Sequence, residues 1–355
     1  MSEPLLVVRD LAKHFVGHRS LLGAARSNVR AVDGVSFDVK AGETFAIVGE
    51  SGCGKSTVGR LVLRLIEPTS GTVTFAGRDI ASANAAELRS FRAKAQLIFQ
   101  DPYASLNPRM TVGDTLSEPL MLHTDLSSAD RVNRVGELLQ TVGLKREHAQ
   151  RFPHEFSGGQ RQRIAIARAL APGPQLIVCD EPVSALDVSI RAQVLNLLQD
   201  LQQKFGLAYI FISHDLSVVR HIADRIAVMY LGRIVETSKA ADLFAEPRHP
   251  YARALLSAIP VARPTAVRQR QLLPGDPPSP INPPSGCHLS PRCPHVDALC
   301  RTTSPVLEHD DAGHATACHH WRDIAASGTL AFNAELPSPQ LRRLFARFEA
   351  PATTE

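Results

Sequence analysis

The chain has 355 residues, of which 44% are hydrophobic and 21% are charged, and its mean hydropathy is −0.06; these values exclude wholesale disorder and suggest two or three domains. The net charge of +4 is too small to argue for a nucleic-acid partner. No apolar run reaches the roughly 18–20 residues of a membrane span, and the first residues lack the pattern of an export signal, so we expect a cytosolic chain.

Short apolar segments alternate with helix-like segments from Val32 to Tyr230, which predicts an α/β domain. The predicted buried strands cover 44–48, 96–99, 175–179 and 208–212. Each of the last three is followed by a polar residue, at the point where open α/β sheets place their chemistry. A helix is predicted over 55–66 and another over 129–142, within a segment, 100–156, that has little strand signal. Ten of the 25 prolines fall between Pro260 and Pro294, which indicates a linker and a loop-rich tail module.

The segment after the first predicted strand fits the phosphate-loop pattern G-x-x-x-x-G-K-[ST]. Its residues are Gly49, Glu50, Ser51, Gly52, Cys53, Gly54, Lys55 and Ser56, and Thr57 follows. Glycines let such a loop wrap so that its backbone N–H groups aim at phosphate oxygens, and the following helix adds the positive end of its dipole. Lys55 supplies a charge to the phosphates, and the Ser56 hydroxyl can ligate Mg²⁺. A chance glycine-rich turn is the competing interpretation, but the strand before the loop and the helix after it favour phosphate binding.

Two further segments suit phosphate chemistry. The strand that begins at Leu176 leads into Asp180 and Glu181, so Asp180 can hold Mg²⁺ and Glu181 can polarise a water molecule as general base. A solvated strand end is the alternative. The segment Ser157-Gly158-Gly159-Gln160 precedes a strong helix pattern, with Ser157 as the expected N-cap and bare N–H groups that form an anion site. A capped helix without a ligand is the alternative here.

Taken as an ordered set, these motifs resemble the ATP-binding cassette (ABC) family over roughly Leu5 to Val235. The Gly49 loop resembles the Walker A motif, Leu176 to Asp180 the Walker B motif, and Ser157 to Gln160 the family signature, here preceded by Phe156 where Leu is usual. Gln100 resembles the Q-loop residue, the segment from Ser184 to Asp187 the D-loop, and His214 the switch histidine. Phe15 fits the position that stacks on adenine, where Tyr is common.

The resemblance implies a mechanism. Two such domains pair head to tail, and the phosphate loop of one faces Ser157, Gly158, Gly159, Gln160 and Asp187 of the other across each ATP. Glu181 activates water and His214 holds the γ-phosphate. Mg²⁺ is held by Ser56, Gln100 and Asp180, and Gln100 also reports the nucleotide state to a membrane partner.

The implied fold is a P-loop NTPase with four parts. A RecA-like core with an N-terminal antiparallel β part covers 1–95 and 165–258, and a helical signature subdomain covers 96–164. A small irregular, Pro- and Cys-rich module covers 259–325. A tail, 326–355, carries one predicted helix near 340–348.

Several segments resemble the dipeptide and oligopeptide importer group of the family: 99–109, His249-Pro250-Tyr251 with the residues up to Pro260, and the C-terminal cysteine module. An insertion between Val16 and Arg30 is similar to that of the second of the two ATPases that such importers often carry. The implied partners are a paralogous ATPase, with a homodimer as the alternative, two membrane permeases and, indirectly, an extracytoplasmic peptide-binding protein. The implied location is the cytoplasmic face of the membrane. Other solutes (nickel, glutathione or an opine) and, less favoured, a soluble ATPase acting on nucleic acid or ribosomes remain alternatives.

Four of the six cysteines cluster late in the chain, at Cys287, Cys293, Cys300 and Cys318, whereas Cys53 and Cys179 are isolated. Structural disulfides are disfavoured in a reducing cytosol, so the cluster indicates a [4Fe–4S] or a zinc site. Paired C-x2-C knuckles are absent, and nearby histidines compete as zinc ligands. The importer resemblance favours [4Fe–4S], and the alternatives are zinc and cysteines that are unliganded or disulfide-bonded.

Overall fold

The protein is described by a computed structural model, which covers residues 3–16, 28–259 and 273–326. Most of the insertion between Val16 and Arg30, residues 260–272 of the proline-rich segment and nearly all of the tail lie outside the described residues.

Two β-sheets organise the fold. The strands are β1 Leu6–Val16, β2 Asn28–Val39, β3 Thr44–Val48, β4 Ser70–Phe75, β5 Arg78–Asp79, β6 Ala95–Ile98, β7 Leu176–Asp180, β8 Ala208–Ser213, β9 Arg225–Tyr230, β10 Arg233–Lys239, β11 Glu308–His309 and β12 Ala315–Thr316. Strands β2-β1-β4-β5 form an antiparallel sheet. The larger sheet has the order β11-β12-β10-β9-β3-β8-β7-β6, and its strands from β9 to β6 are parallel.

Helices cover the large sheet and fill the segment between β6 and β7. They are α1 Lys55–Val62, α2 Ala85–Lys94, α3 Pro102–Ser105, α4 Val112–His123, α5 Ser128–Thr141, α6 Gly158–Leu170, α7 Val188–Phe205, α8 Leu216–Ile222, α9 Ala240–Ala245, α10 Pro250–Ser257, α11 Ala298–Thr302 and α12 Trp321–Ala326. Among the described residues, none of these helices has the length and apolar character needed to cross a bilayer.

The four predicted strands are present within one residue at each end, because parallel strands covered on both faces are continuous apolar runs. Strands β3, β7 and β8 are buried at every residue. The predicted helix at 55–66 is shorter and ends at Val62, and Arg64 adopts a positive φ of 52°. Residues 96–164 contain three whole helices and two 3₁₀ turns. The division into domains at these residues stays a prediction.

Among the described residues, the C-terminal module is mostly irregular, as its composition predicts, but a short hairpin joins it to the large sheet. Strands β11 and β12 form a hairpin that extends the large sheet beyond β10. A buried hydrogen bond between Nε2 of His314 and Oε1 of Glu236, 2.7 Å long, joins the hairpin to β10. A strand of two residues is too short to show alternating apolar and polar side chains, so the sequence did not predict β11 and β12.

Candidate nucleotide site

The phosphate loop lies between β3 and α1, pressed against the end of β9. Gly49 has a φ of 156°, and a Cβ there would lie 2.2 Å from the carbonyl oxygen of Met229. Gly54, with a φ of 107°, would place its Cβ 2.0 Å from the carbonyl oxygen of Ala31. Because real Cβ atoms do not approach so closely, both positions require glycine, and the loop can take this path only with them.

Lys55 is buried at the start of α1, and its ammonium group lies in the curve of the loop. Its Nζ donates to the carbonyl oxygens of Gly49 and Glu50, each at 2.8 Å. A buried ammonium held by neutral carbonyls keeps a positive charge available for an anion. Cys53, in the same loop, is buried, and burial raises the pKa of its thiol, so it stays a neutral packing residue.

Ser56 and Asp180 come together from α1 and β7. The Ser56 hydroxyl donates to Oδ1 of Asp180 at 2.7 Å. Burial raises the pKa of the Asp180 carboxyl, whereas the bond from Ser56 lowers it. A hydroxyl and a buried carboxylate beside a phosphate loop are the oxygen donors that Mg²⁺ prefers, so these residues fit the ion.

Glu181 lies at the end of β7, between residues that follow the two neighbouring strands. Nε2 of Gln100, after β6, donates to its Oε2 at 3.1 Å, and Nδ1 of His214, after β8, lies 3.1 Å from its Oε1. The side chain of Glu181 is only 13% exposed, and its backbone has a φ of 47°, outside the usual regions. The strand order β8-β7-β6 thus brings three widely separated residues to one carboxylate.

The segment Ser157-Gly158-Gly159-Gln160 begins α6 with a complete capping box. Oγ of Ser157 accepts the N–H of Gln160 at 3.4 Å, and the Gln160 side chain accepts the N–H of Ser157 at 3.0 Å. Ser157 is exposed, whereas Gly159 is buried against Ile190 of α7. Asp187, just before α7, is exposed and makes no side-chain cap. Ser157 is the N-cap of α6, as the sequence predicts, and the role of this segment and of Asp187 toward a nucleotide stays a prediction.

Other predicted site residues have simpler surroundings. Ser51 and Gly52 are exposed at the tip of the loop, and Thr57 is partly buried in α1. Phe15, near the end of β1, is 42% exposed, with Nζ of Lys13 lying 5.2 Å from its ring centroid. An exposed aromatic ring is available for stacking, and its adenine role stays a prediction.

Sequence reasoning missed two residues that hold the phosphate loop from outside. The N–H of Glu50 donates to Oη of Tyr251 at 2.8 Å, so this loop amide is already paired rather than aimed at a phosphate. The carboxylate of Glu50 pairs with Arg292 at 3.2 Å. Tyr251 belongs to the noted His249-Pro250-Tyr251 segment and Arg292 to the cysteine module. The sequence signal for Tyr251 was its place in a segment that resembles the peptide importers, and Arg292 gave no signal.

The four late cysteines line one small cavity, together with His249, Pro250, His295, His319 and His320. Burial raises the pKa of each thiol, that of Cys318 to about 12. Within the described part of the chain, one group of three such side chains has its ligand atoms within 4.8 Å of one another, namely Asp297, Cys300 and His320. It contains a single cysteine.

The residues gathered at the carboxyl edge of the large sheet define an ATP-binding cassette. The fold is similar to that of a solved dimeric ATP-binding cassette, MJ0796, bound to ADP and Pi, with a TM-score of 0.59 and 29% identity over 66% of this chain and 98% of that one. It is also similar to cbiO1 from Clostridium perfringens, with a TM-score of 0.58 and 27% identity over 68% of this chain and 91% of that one. The predicted P-loop NTPase fold is confirmed.

Comparison with sequence families gives the particular branch. Residues 32–184 match the family "ABC transporter", and residues 235–300 match "Oligopeptide/dipeptide transporter, C-terminal region". The di/tripeptide transport ATP-binding protein DppF of Pseudomonas aeruginosa is 50% identical over 90% of this chain and 98% of its own. The oligopeptide transport ATP-binding protein AppF of Bacillus subtilis is 51% identical over 89% and 97%. The chain therefore belongs to the ABC transporter ATPases, in the group with the oligopeptide/dipeptide C-terminal region, and it is an ATPase.

The expectation of an iron–sulfur cluster is wrong. The relatives carry the names of ATP-binding transport proteins and none is named for a cluster. The close-set group of potential ligands in the described residues is Asp297, Cys300 and His320, rather than Cys287, Cys293, Cys300 and Cys318. The clustering of the cysteines and the importer resemblance led to this expectation, but cysteines that share a buried, partly apolar cavity also arise from packing, where a thiol behaves as a small hydrophobic group. Zinc, the alternative cofactor, is not supported either, because the close-set group found among the described residues contains only one of the four cysteines.

Proposed function

We propose that this ATPase powers the import of short peptides through a pair of membrane permeases. The observation that carries the proposal is the match of residues 235–300 to the oligopeptide/dipeptide transporter C-terminal region, in a chain whose relatives are named for di-, tri- and oligopeptide transport. The proposed location is the cytoplasmic face of the membrane, as a peripheral subunit. An extracytoplasmic peptide-binding protein delivers the cargo.

Within the site, Glu181 acts as general base. Its carboxylate is oriented from both sides, by Gln100 and by His214 at 3.1 Å each, so one oxygen can accept a proton from an attacking water molecule without reorientation. His214 is also placed to contact the γ-phosphate. Because Glu181 is mostly buried, little solvent competes for its carboxylate.

The phosphate loop and its neighbours bind the nucleotide. The buried Lys55 exchanges its two carbonyl partners for phosphate oxygens, and the start of α1 adds its dipole. Ser56 and Asp180 would hold Mg²⁺, with Gln100 as a further ligand, and the bound ion would neutralise charge on the phosphates. Phe15 stacks on the adenine.

The second half of each ATP site comes from another subunit. Ser157 is exposed, and its oxygen accepts the Gln160 N–H, which leaves the hydroxyl hydrogen free to donate to a phosphate. Ser157, Gly158, Gly159, Gln160 and Asp187 therefore serve the partner's nucleotide. The proposed partner is a paralogous ATPase. A discriminating measurement is the mass of the Glu181→Gln chain with ATP: a stable dimer of this chain alone contradicts the need for a paralogue.

The transport proposal is tested by reconstitution. The chain, a second ATPase, two permeases and a peptide-binding protein are placed in proteoliposomes, and uptake of a labelled dipeptide is followed with ATP inside or outside. ATP-dependent dipeptide uptake that Lys55→Ala abolishes supports the proposal. Uptake of nickel, glutathione or an opine instead of the peptide, or salt-sensitive binding of the chain to DNA or ribosomes without transport, contradicts it.

A further inference from the structure

Both the backbone and the side chain of Glu50, in the phosphate loop, contact the C-terminal part of the chain. Its N–H donates to Oη of Tyr251 in α10 at 2.8 Å, and its carboxylate lies 3.2 Å from Nη1 of Arg292. Its carbonyl oxygen accepts from Nζ of Lys55 at 2.8 Å. The polar groups of Glu50 thus connect the phosphate-binding lysine directly to residues far along the chain.

The partners of Glu50 are themselves fixed. Tyr251 is fully buried, and its ring packs on that of Tyr230 at a centroid distance of 4.6 Å. Tyr230 ends β9, the strand whose Met229 carbonyl sits against Gly49. A buried tyrosine whose ring cannot move places its hydroxyl at one position, and this position meets the Glu50 amide.

Arg292 is held in the same way. Its side chain is only 9% exposed, and Nε donates to the carbonyl oxygen of Pro274 at 3.3 Å. Nη1 contacts the Tyr230 hydroxyl at 3.5 Å as well as both oxygens of Glu50. A largely buried guanidinium requires an anion, and Glu50 is the carboxylate that it contacts.

The start of α10 is anchored to the large sheet. Glu236 of β10, fully buried, accepts the N–H groups of Arg248 and His249 at 2.8 Å each, and His249 then caps α10 by accepting the N–H of Tyr251. The same Glu236 binds His314 of the C-terminal hairpin. One buried carboxylate therefore joins the sheet, the hairpin and the helix that carries Tyr251.

We propose that Tyr251 and Arg292 are positioning residues of the ATP site, which hold the Glu50 backbone so that the phosphate loop and Lys55 are preset for triphosphate. Both side chains are buried and act through Glu50. The C-terminal module is on this account a working part of nucleotide binding rather than an appendage of the cassette. The inference rests on the phosphate-binding role of residues 49–56.

The test measures the affinity of the full chain for ATP with Mg²⁺ by calorimetry, together with its melting temperature. Tyr251→Phe removes the acceptor of the Glu50 N–H and is expected to raise the Kd for ATP about 2- to 10-fold, the range for one hydrogen bond. Tyr209→Phe is the matched control. It removes an equally buried hydroxyl, bonded to the Leu198 carbonyl at the opposite end of the sheet, and is expected to leave the Kd unchanged.

A double-mutant cycle tests the second contact. Glu50→Gln and Arg292→Gln are each expected to raise the Kd about 3- to 10-fold, and the double variant is expected to bind no worse than the weaker single, because the two residues act as one pair. Arg292→Lys keeps the positive charge and is expected to bind ATP more tightly than Arg292→Gln does. Glu50 is partly exposed, so Glu50→Gln is expected to fold and to show the effect of losing this ion pair on the Kd even if Arg292→Gln does not fold.

Several outcomes overturn the inference. They are a Kd within twofold of the parent in Tyr251→Phe and Glu50→Gln, a loss of affinity equal to that of Tyr209→Phe, or single effects that multiply in the double variant. A parent chain that does not bind ATP contradicts the proposed function instead, so the two failures are distinguishable.

Discussion

Replacing Glu181 by glutamine tests the proposed general base without disturbing its surroundings. The carboxylate contacts Nε2 of Gln100 and Nδ1 of His214, each at 3.1 Å. A glutamine in its place can accept from Gln100 with its oxygen and donate to Nδ1 of a neutral His214, so both contacts survive. What is lost is an oxygen able to take a proton.

General bases contribute roughly 10²–10⁴ in rate. At about 1.36 kcal/mol for each factor of ten, the barrier of Glu181→Gln is expected to rise by about 2.7–5.4 kcal/mol. The affinity for ATP is expected to stay within about twofold, because Lys55, Ser56 and Asp180 are untouched. The assay is phosphate release at saturating ATP by the assembled complex, alongside ATP affinity by calorimetry.

The matched control is Glu147→Gln, which neutralises an exposed carboxylate paired with Lys145 at 3.6 Å and is expected to change neither quantity. A rate for Glu181→Gln within threefold of the parent would refute the assignment. So would a loss of ATP affinity as large as the loss of rate, since the residue would then bind rather than catalyse.

Three further predictions concern the helix starts around the site. Gly159→Ala is expected to destabilise the chain by about 1–3 kcal/mol, because its Cβ would lie 2.5 Å from Cγ2 of Ile190, whereas Gly158→Ala meets only ordinary contacts; equal melting temperatures of the two variants would contradict this. Ser157→Ala removes the cap of α6 and is expected to cost about 1 kcal/mol in urea unfolding, unlike Ser157→Thr. Burial lowers the pKa of His249 to about 3, so the folded state excludes a proton that the unfolded state binds below about 6.5, and stability is lost as the pH falls from there. Melting temperatures at pH 7.5 and 5.5 are expected to differ less for His249→Asn, whose amide oxygen can cap the helix without titrating.

The sheet and most of the nucleotide site could be predicted because they depend on local patterns and on one topological rule. Apolar runs located β3, β7 and β8, the two acidic residues after the β7 run indicated Glu181, and the family resemblance indicated His214. Parallel strands that share an edge then bring residues as far apart as Gln100 and Glu181 together, although 81 positions separate them. The capping box at Ser157 is equally local, since its partners are three residues apart.

The C-terminal contacts follow no such rule. Glu50 is 201 positions from Tyr251 and 242 from Arg292, and the segment around Arg292 has neither helical nor strand periodicity. The cysteines there attracted a metal interpretation, while the arginine beside them drew none. The side chain of Arg292 is nevertheless 91% buried, and a buried guanidinium needs a carboxylate partner. Of the phosphate-loop residues, only Glu50 carries one, so the pairing follows from charge once burial is known, and burial in an irregular segment is what sequence patterns do not give.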